Sequence, residues 1–93
     1  MTGVNCMAVM KALGELNRVR IMRMLLKEPL GVNALAEQLE MSQYNVSKHL
    51  RILKEAGLLE MEKEGKQRLY RVIPSLRDEL MTSLEHANQS LGG

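Results

Sequence analysis

The chain of 93 residues has no tryptophan, no phenylalanine and only two tyrosines. An aromatic core is therefore excluded, and the interior must be built from Leu, Val, Ile and the eight methionines, whose flexible thioethers fill irregular gaps. A single cysteine, Cys6, excludes an intramolecular disulfide and any Cys-rich zinc module, and it fits a reducing compartment. No apolar run approaches the ~20 residues of a membrane span. Residues 1–10 carry no basic n-region, so a signal peptide is not expected and a cytoplasmic location is. Ser/His/Asp or Cys/His sets, carboxylate pairs and Gly-rich phosphate loops do not stand out, which argues against an enzyme. Repeats and low-complexity segments are absent too.

What is present is a globular composition, 45% hydrophobic and 26% charged. The length suits one domain over residues 1–93, and a monomer of that size hides only about two-thirds of its unfolded surface. The net charge of +2 conceals an uneven distribution. Residues 42–73 carry seven basic groups against four acidic ones, and the stretches 41–54 and 65–77 contain no acid. Local positive charge of this kind suits a polyanion.

Residues 4–13 are apolar on nearly every side, so a helix there needs cover all round and hints at a partner chain. Gly14 ends it. Asn17 is a candidate cap for a second helix with Val19, Met22, Leu25 and Leu26 on one stripe, and Glu28-Pro29-Leu30-Gly31 closes it. A short third helix, following Asn33 or Val32, is marked by Leu35, Ala36 and Leu39. After Glu40-Met41, Ser42 is a good N-cap for a fourth helix reaching Ala56. Its Val46, Leu50 and Leu53 recur at i, i+4 and i+7, while Tyr44, Lys48 and Arg51 fall on the opposite side. Leu58–Lys63 and Arg68–Ile73 read as strands of a hairpin with a charged tip. Pro74 ends the hairpin, and Ser75 is a candidate cap for a last helix. There Leu76, Leu80, Leu84, Ala87 and Leu91 form a narrow seam of heptad type, suited to pairing with another helix.

Two short helices joined by a tight turn, the second basic on its outer face, make a helix-turn-helix. Ser42, Gln43, Tyr44, Asn45 and Ser47 offer hydrogen-bonding groups to base edges, with Gln or Asn able to pair bidentately with adenine. Lys48, Arg51 and Lys54 can reach phosphates, and the hairpin with Lys63, Lys66 and Arg68 can extend over the backbone or into the minor groove as a wing. The expected architecture is mainly α with a small β-hairpin wing, in the order α-α-α-α-β-β-α. The expected partner is double-stranded DNA carrying an inverted repeat, with half-sites roughly 34 Å or 10 bp apart.

At this point the residues resemble a known family. Asn17-Arg18-Val19-Arg20-Ile21-Met22-Arg23-Met24-Leu25 is similar to the "TRLRILRLL" segment of the ArsR/SmtB winged-helix repressors. Ser42 to Leu58 resembles their recognition helix, "SQ-x-x-VS-x-HL-x-x-L-x-x-AGL". Glu64-Gly65-Lys66 with Leu69-Tyr70-Arg71-Val72 resembles their wing. The resemblance runs from about residue 9 to 87 and implies a homodimeric repressor paired through its first and last helices, here Met7 and Met10 with Leu76, Leu80, Leu84, Ala87 and Leu91. Leu16 departs from it, standing where the family often has proline. The metal sites of the family depart further. Residues 32–40 hold no thiol, and the late ligand pair falls on His86 and Gln89, so neither metal nor other cofactor is expected.

Three residues keep two readings. Cys6 is either a small buried apolar residue or a redox-sensitive thiol near a dimer axis. His49 lies about 60° from the centre of the buried stripe and is either a half-buried structural group or a DNA contact. His86 reads as a surface or interface residue more than as a ligand. The functional alternative for the whole chain is a winged-helix protein-interaction module or antirepressor.

Overall fold

A computed structural model of the chain describes residues 6–77. Four helices precede a hairpin: α1 (Cys6–Leu13), α2 (Leu16–Lys27), α3 (Val32–Leu39), α4 (Gln43–Glu55), β1 (Leu59–Glu64) and β2 (Gln67–Val72). A further helical turn occupies 74–77. The seam residues Leu80, Leu84, Ala87 and Leu91, together with His86, lie outside the described residues.

The α2 helix starts earlier than the Asn17 cap implies. Glu15, in an extended conformation, is the N-cap, and its carboxylate accepts a hydrogen bond from the Arg18 amide at 3.3 Å. A negative group there also suits the positive end of the helix dipole. Asn17 instead accepts from Arg20 Nη1 at 3.2 Å. Ile21, Met22, Leu25 and Leu26 are the buried face of α2, and Val19 is half-buried. Leu35 and Leu39 of α3 and Val46, Leu50 and Leu53 of α4 complete the aliphatic core with Leu58, Leu59 and Val72. Fully burying such a side chain contributes about 1.5–3 kcal/mol, so the α4 stripe is a large share of what a domain this small can gather.

Both ends of the turn-and-helix unit are held by the same device. Glu40 adopts the left-handed conformation (φ 55°, ψ 45°). Its amide donates to Glu37 O, and the Met41 amide donates to Ala36 O at 3.0 Å. After α4, Gly57 (φ 85°) repeats the pattern, with the Gly57 amide donating to Lys54 O and the Leu58 amide to Leu53 O. These paired bonds satisfy carbonyls that a helix end leaves open, and each is followed by an apolar residue folded back onto the core. Met41 and Leu58 fill that role.

The strands are Leu59–Glu64 and Gln67–Val72, shifted by one residue from the expected Leu58–Lys63 and Arg68–Ile73. Leu58 commits its amide to the end of α4, so the ladder begins one residue later. At the tip only Gly65 and Lys66 separate the paired Glu64 and Gln67, a two-residue turn that needs the positive φ of Gly65 (63°). A short third element joins β2 on its other edge: Leu30 and Tyr70 exchange both backbone hydrogen bonds, at 3.1 and 2.8 Å. The segment between α2 and α3 is thereby fastened to the hairpin. Beyond β2 the helical turn starts at Pro74 itself, not after a Ser75 cap. Proline fits a first helical position because its missing N–H would have no intrahelical partner there.

Glu40 is the one described non-glycine residue with positive φ. Releasing that strain by Glu40→Gly gains roughly 1–2 kcal/mol, offset by the roughly 0.4–1 kcal/mol of extra unfolded-state freedom. A net gain of about 0.5–1 kcal/mol is expected, read as a melting-point rise of a few degrees. A lower melting point would show the left-handed turn to be unstrained.

Candidate nucleic-acid interface

The outer face of α4 is set by what lies beneath it. Val46, Leu50 and Leu53 have no solvent exposure. Gln43, Tyr44, Asn45, Ser47, Lys48, Arg51 and Lys54 are exposed, and Tyr44 is 76% exposed. A large aromatic left so open on a polar helix gains little from packing among the described residues. Ser42 is the N-cap: its Oγ accepts from the Asn45 amide at 3.1 Å, which leaves the hydroxyl proton free to donate outward. Tyr44, Lys48 and Arg51 therefore form one outward stripe, with the side chains of the first turn beside it.

The hairpin sorts its charges by face. Directly paired residues share a face, so Leu59–Val72, Met61–Tyr70 and Lys63–Arg68 lie on one side and Glu60–Arg71, Glu62–Leu69 and Glu64–Gln67 on the other. The first side runs from buried Leu59 and Val72 at its base to two exposed cations at its tip. Lys63 directly opposite Arg68 is a like-charge pair, which destabilises an isolated hairpin. The second side is acidic and accounts for Arg71. Its Nε lies 2.8 Å from Glu60 Oε1 and its Nη1 3.2 Å from Glu62 Oε2. Arg71, counted with the basic surplus of 42–73, is therefore neutralised across the ladder. Lys66 and Arg68 also line a cleft of about 550 Å³ between the wing and the start of α3. Gly31 permits that approach, since a Cβ there would stand 3.2 Å from the Arg68 carbonyl oxygen.

The remaining candidates lie elsewhere. His49 is half-buried, its side chain 17% exposed, with Nδ1 3.7 Å from Glu15 Oε2 at the head of α2. That is too long for a hydrogen bond, and Nδ1 has no such partner among the described residues. Cys6 is exposed, so its reading as a buried apolar residue is corrected. Of α1 only Ala12 is fully buried; Ala8, Val9 and Leu13 pack against the core while remaining partly exposed. Met7, Met10 and Leu16 are each at least two-thirds exposed, whereas Leu76 packs against the core. Among the described residues no three His, Cys, Asp or Glu side chains are grouped to hold a metal ion, and no helix is long and apolar enough to cross a membrane.

This geometry has close parallels. The family described as bacterial regulatory protein, arsR family, matches residues 16–61, the span from α2 into β1. The transcriptional activator HlyU of Vibrio cholerae serotype O1 is 35% identical over 78 residues, covering 84% of this chain and 71% of that protein. The solved structure of reduced HlyU from Vibrio cholerae superposes with a TM-score of 0.76 at 30% identity, over 87% of this chain and 85% of that one. A homodimeric winged helix-turn-helix DNA-binding domain from Mycobacterium bovis, a possible ArsR-family transcriptional regulator, gives 0.80 at 26% identity, over 96% and 91%. With a helix-turn-helix, a wing and these relatives in agreement, the chain belongs to the arsR family of bacterial regulatory proteins and is a DNA-binding transcriptional regulator.

Proposed function

We propose that the chain acts as a homodimer that reads an inverted-repeat operator and represses by occupying it. The observation that carries this is the division of α4, with Val46, Leu50 and Leu53 fully buried and Tyr44, Lys48 and Arg51 outward. In each protomer the first turn of α4 enters a major groove. Gln43, Asn45, Tyr44 and Ser47 meet base edges, and Ser42, Lys48, Arg51 and Lys54 flank them at the phosphates. Lys63, Lys66 and Arg68 lie along the backbone beside it. His49 sits half-buried between α4 and the head of α2. The exposed apolar residues of α1, Met7 and Met10, and the heptad seam of the C-terminal segment pair the protomers, as the homodimeric Mycobacterium relative supports. Repression is the outcome where the operator overlaps a promoter. The Vibrio relative is named an activator, so the direction of regulation is set by where the operator lies relative to the promoter.

Three or four phosphate contacts per protomer neutralise about 6–8 charges, so log K should fall against log salt with a slope of about −5 to −7. Duplexes selected from a random pool supply the operator for this titration. A slope near zero, with no preference among duplexes, would instead mark a protein-interaction module.

Arg51→Ala should weaken all duplexes alike and flatten that slope by about one per protomer, whereas Gln43→Ala should relax preference at one position per half-site. Arg71→Ala, already neutralised by two glutamates, should leave the slope unchanged.

Arg68→Glu separates stability from function. It converts the opposed cations into an attractive cross-strand pair worth about 0.2–1 kcal/mol, so the free protein should melt slightly higher while operator binding falls by tenfold or more. A variant that binds as tightly as the parent would remove the wing from the interface.

A further inference from the structure

Two arginines outside the DNA-facing surface tie the two ends of α2 to other elements through backbone carbonyls. Arg18, in the first turn of α2, donates from Nε to Ala12 O at 2.6 Å and from Nη2 to Lys11 O at 3.4 Å. Those carbonyls belong to the last turn of α1. Arg77, in the helical turn after the wing, donates from Nε and Nη2 to Leu26 O at 3.2 and 2.7 Å, in the last turn of α2. Both guanidinium groups thus close helix C-termini, where open carbonyls and the negative end of the dipole favour a cation. The planar fork, unlike an ammonium, also fixes a direction of approach. Hence α2 is bonded to α1 at its head and to the chain entering the C-terminal segment at its tail, and it packs against α4 and β2 as well.

From this arrangement we infer that Arg18 and Arg77 are positioning residues for half-site spacing: they fix the angle between the elements that pair the protomers and the helix that reads DNA. The inference rests on the dimeric reading above. Its leverage follows from geometry. A recognition helix lies roughly 17 Å from the dyad when half-sites are about 34 Å apart. One added base pair moves a half-site by about 3.4 Å and turns it by roughly 35° about the duplex axis, so following it requires α4 to reorient relative to the elements that pair the protomers. Loosening either end of α2 should therefore spread the tolerated spacings without touching the contacts within a half-site.

The experiment measures affinity of the full chain for inverted repeats of the selected half-site, with the spacer changed by one and two base pairs. The chains compared are the parent, Arg18→Gln, Arg77→Gln, Arg18→Lys and Arg77→Lys, with sedimentation for oligomeric state and melting for stability. The parent should discriminate against a one-base-pair change by tenfold or more. In the Gln variants that ratio should drop below about threefold, with the dimer and the salt slope retained. The Lys variants keep the charge but lose the fork, so they should fall between, and they keep the test valid where a Gln variant does not fold. Spacer profiles that superimpose on the parent's, with only the melting point lowered, would reduce both arginines to ordinary helix caps. A folded but monomeric Arg77→Gln chain would equally overturn the assignment, because Arg77 would then make the interface instead of orienting it. Failure of the dimeric reading is distinguished by the parent alone, as a monomer or a chain indifferent to inverted repeats, and the inference falls with it.

Discussion

The insertion of Val46, Leu50 and Leu53 into the aliphatic core is the constraint on which the rest depends. A helix of thirteen residues is marginal in isolation, so its rotation about its own axis is decided by what it buries. With those three side chains at zero exposure, Tyr44, Lys48 and Arg51 have one direction left to face. The turn before α4 and the turn after it each fold an apolar residue, Met41 and Leu58, back onto the same core. Entry, rotation and exit of the helix are thus set by one body of packing, and the polar face is presented on a rigid support. Rigidity matters because base recognition depends on hydrogen-bond geometry.

The wing solves a different problem. Its base is tied to the core by Leu59 and Val72 and to the α2–α3 segment by the Leu30–Tyr70 bonds. Its outer half carries an unfavourable pairing, Lys63 against Arg68. Three glutamates on the reverse side keep net charge low and neutralise Arg71. The consequence is a hairpin with one cationic face and one acidic face. A polyanion approaching the cationic face relieves the like-charge repulsion, so part of the stability lost in the free domain returns on binding.

Much of α4 is legible in the sequence alone, because a 3.6-residue period separates buried from exposed positions without knowledge of the neighbours. The Ser42 cap, the buried triplet, the outward stripe and the Glu40-Met41-Ser42 turn all belong to that local information. What could not be read depends on contacts between distant segments or on one-residue details of register. Arg71 looks like a free cation in a linear count, and only the strand pairing brings Glu60 and Glu62 to it. Arg18 and Arg77 look like surface charge on helices, since the carbonyls they bond lie on other elements. Asn17 has the right identity for a cap, yet Glu15 holds the extended conformation two residues earlier. The exposure of Cys6 and the turn of His49 towards Glu15 likewise depend on how α1 and α2 sit against α4.

Dimethyl sulphate protection of the selected operator locates α4, because it reports guanine N7 in the major groove and adenine N3 in the minor groove separately. Two patches of N7 protection about one helical turn apart are expected, each lost when residues of the first turn of α4 are replaced. Protection confined to adenine N3, or a single N7 patch from a bound dimer, would contradict the placement of α4 in successive major grooves.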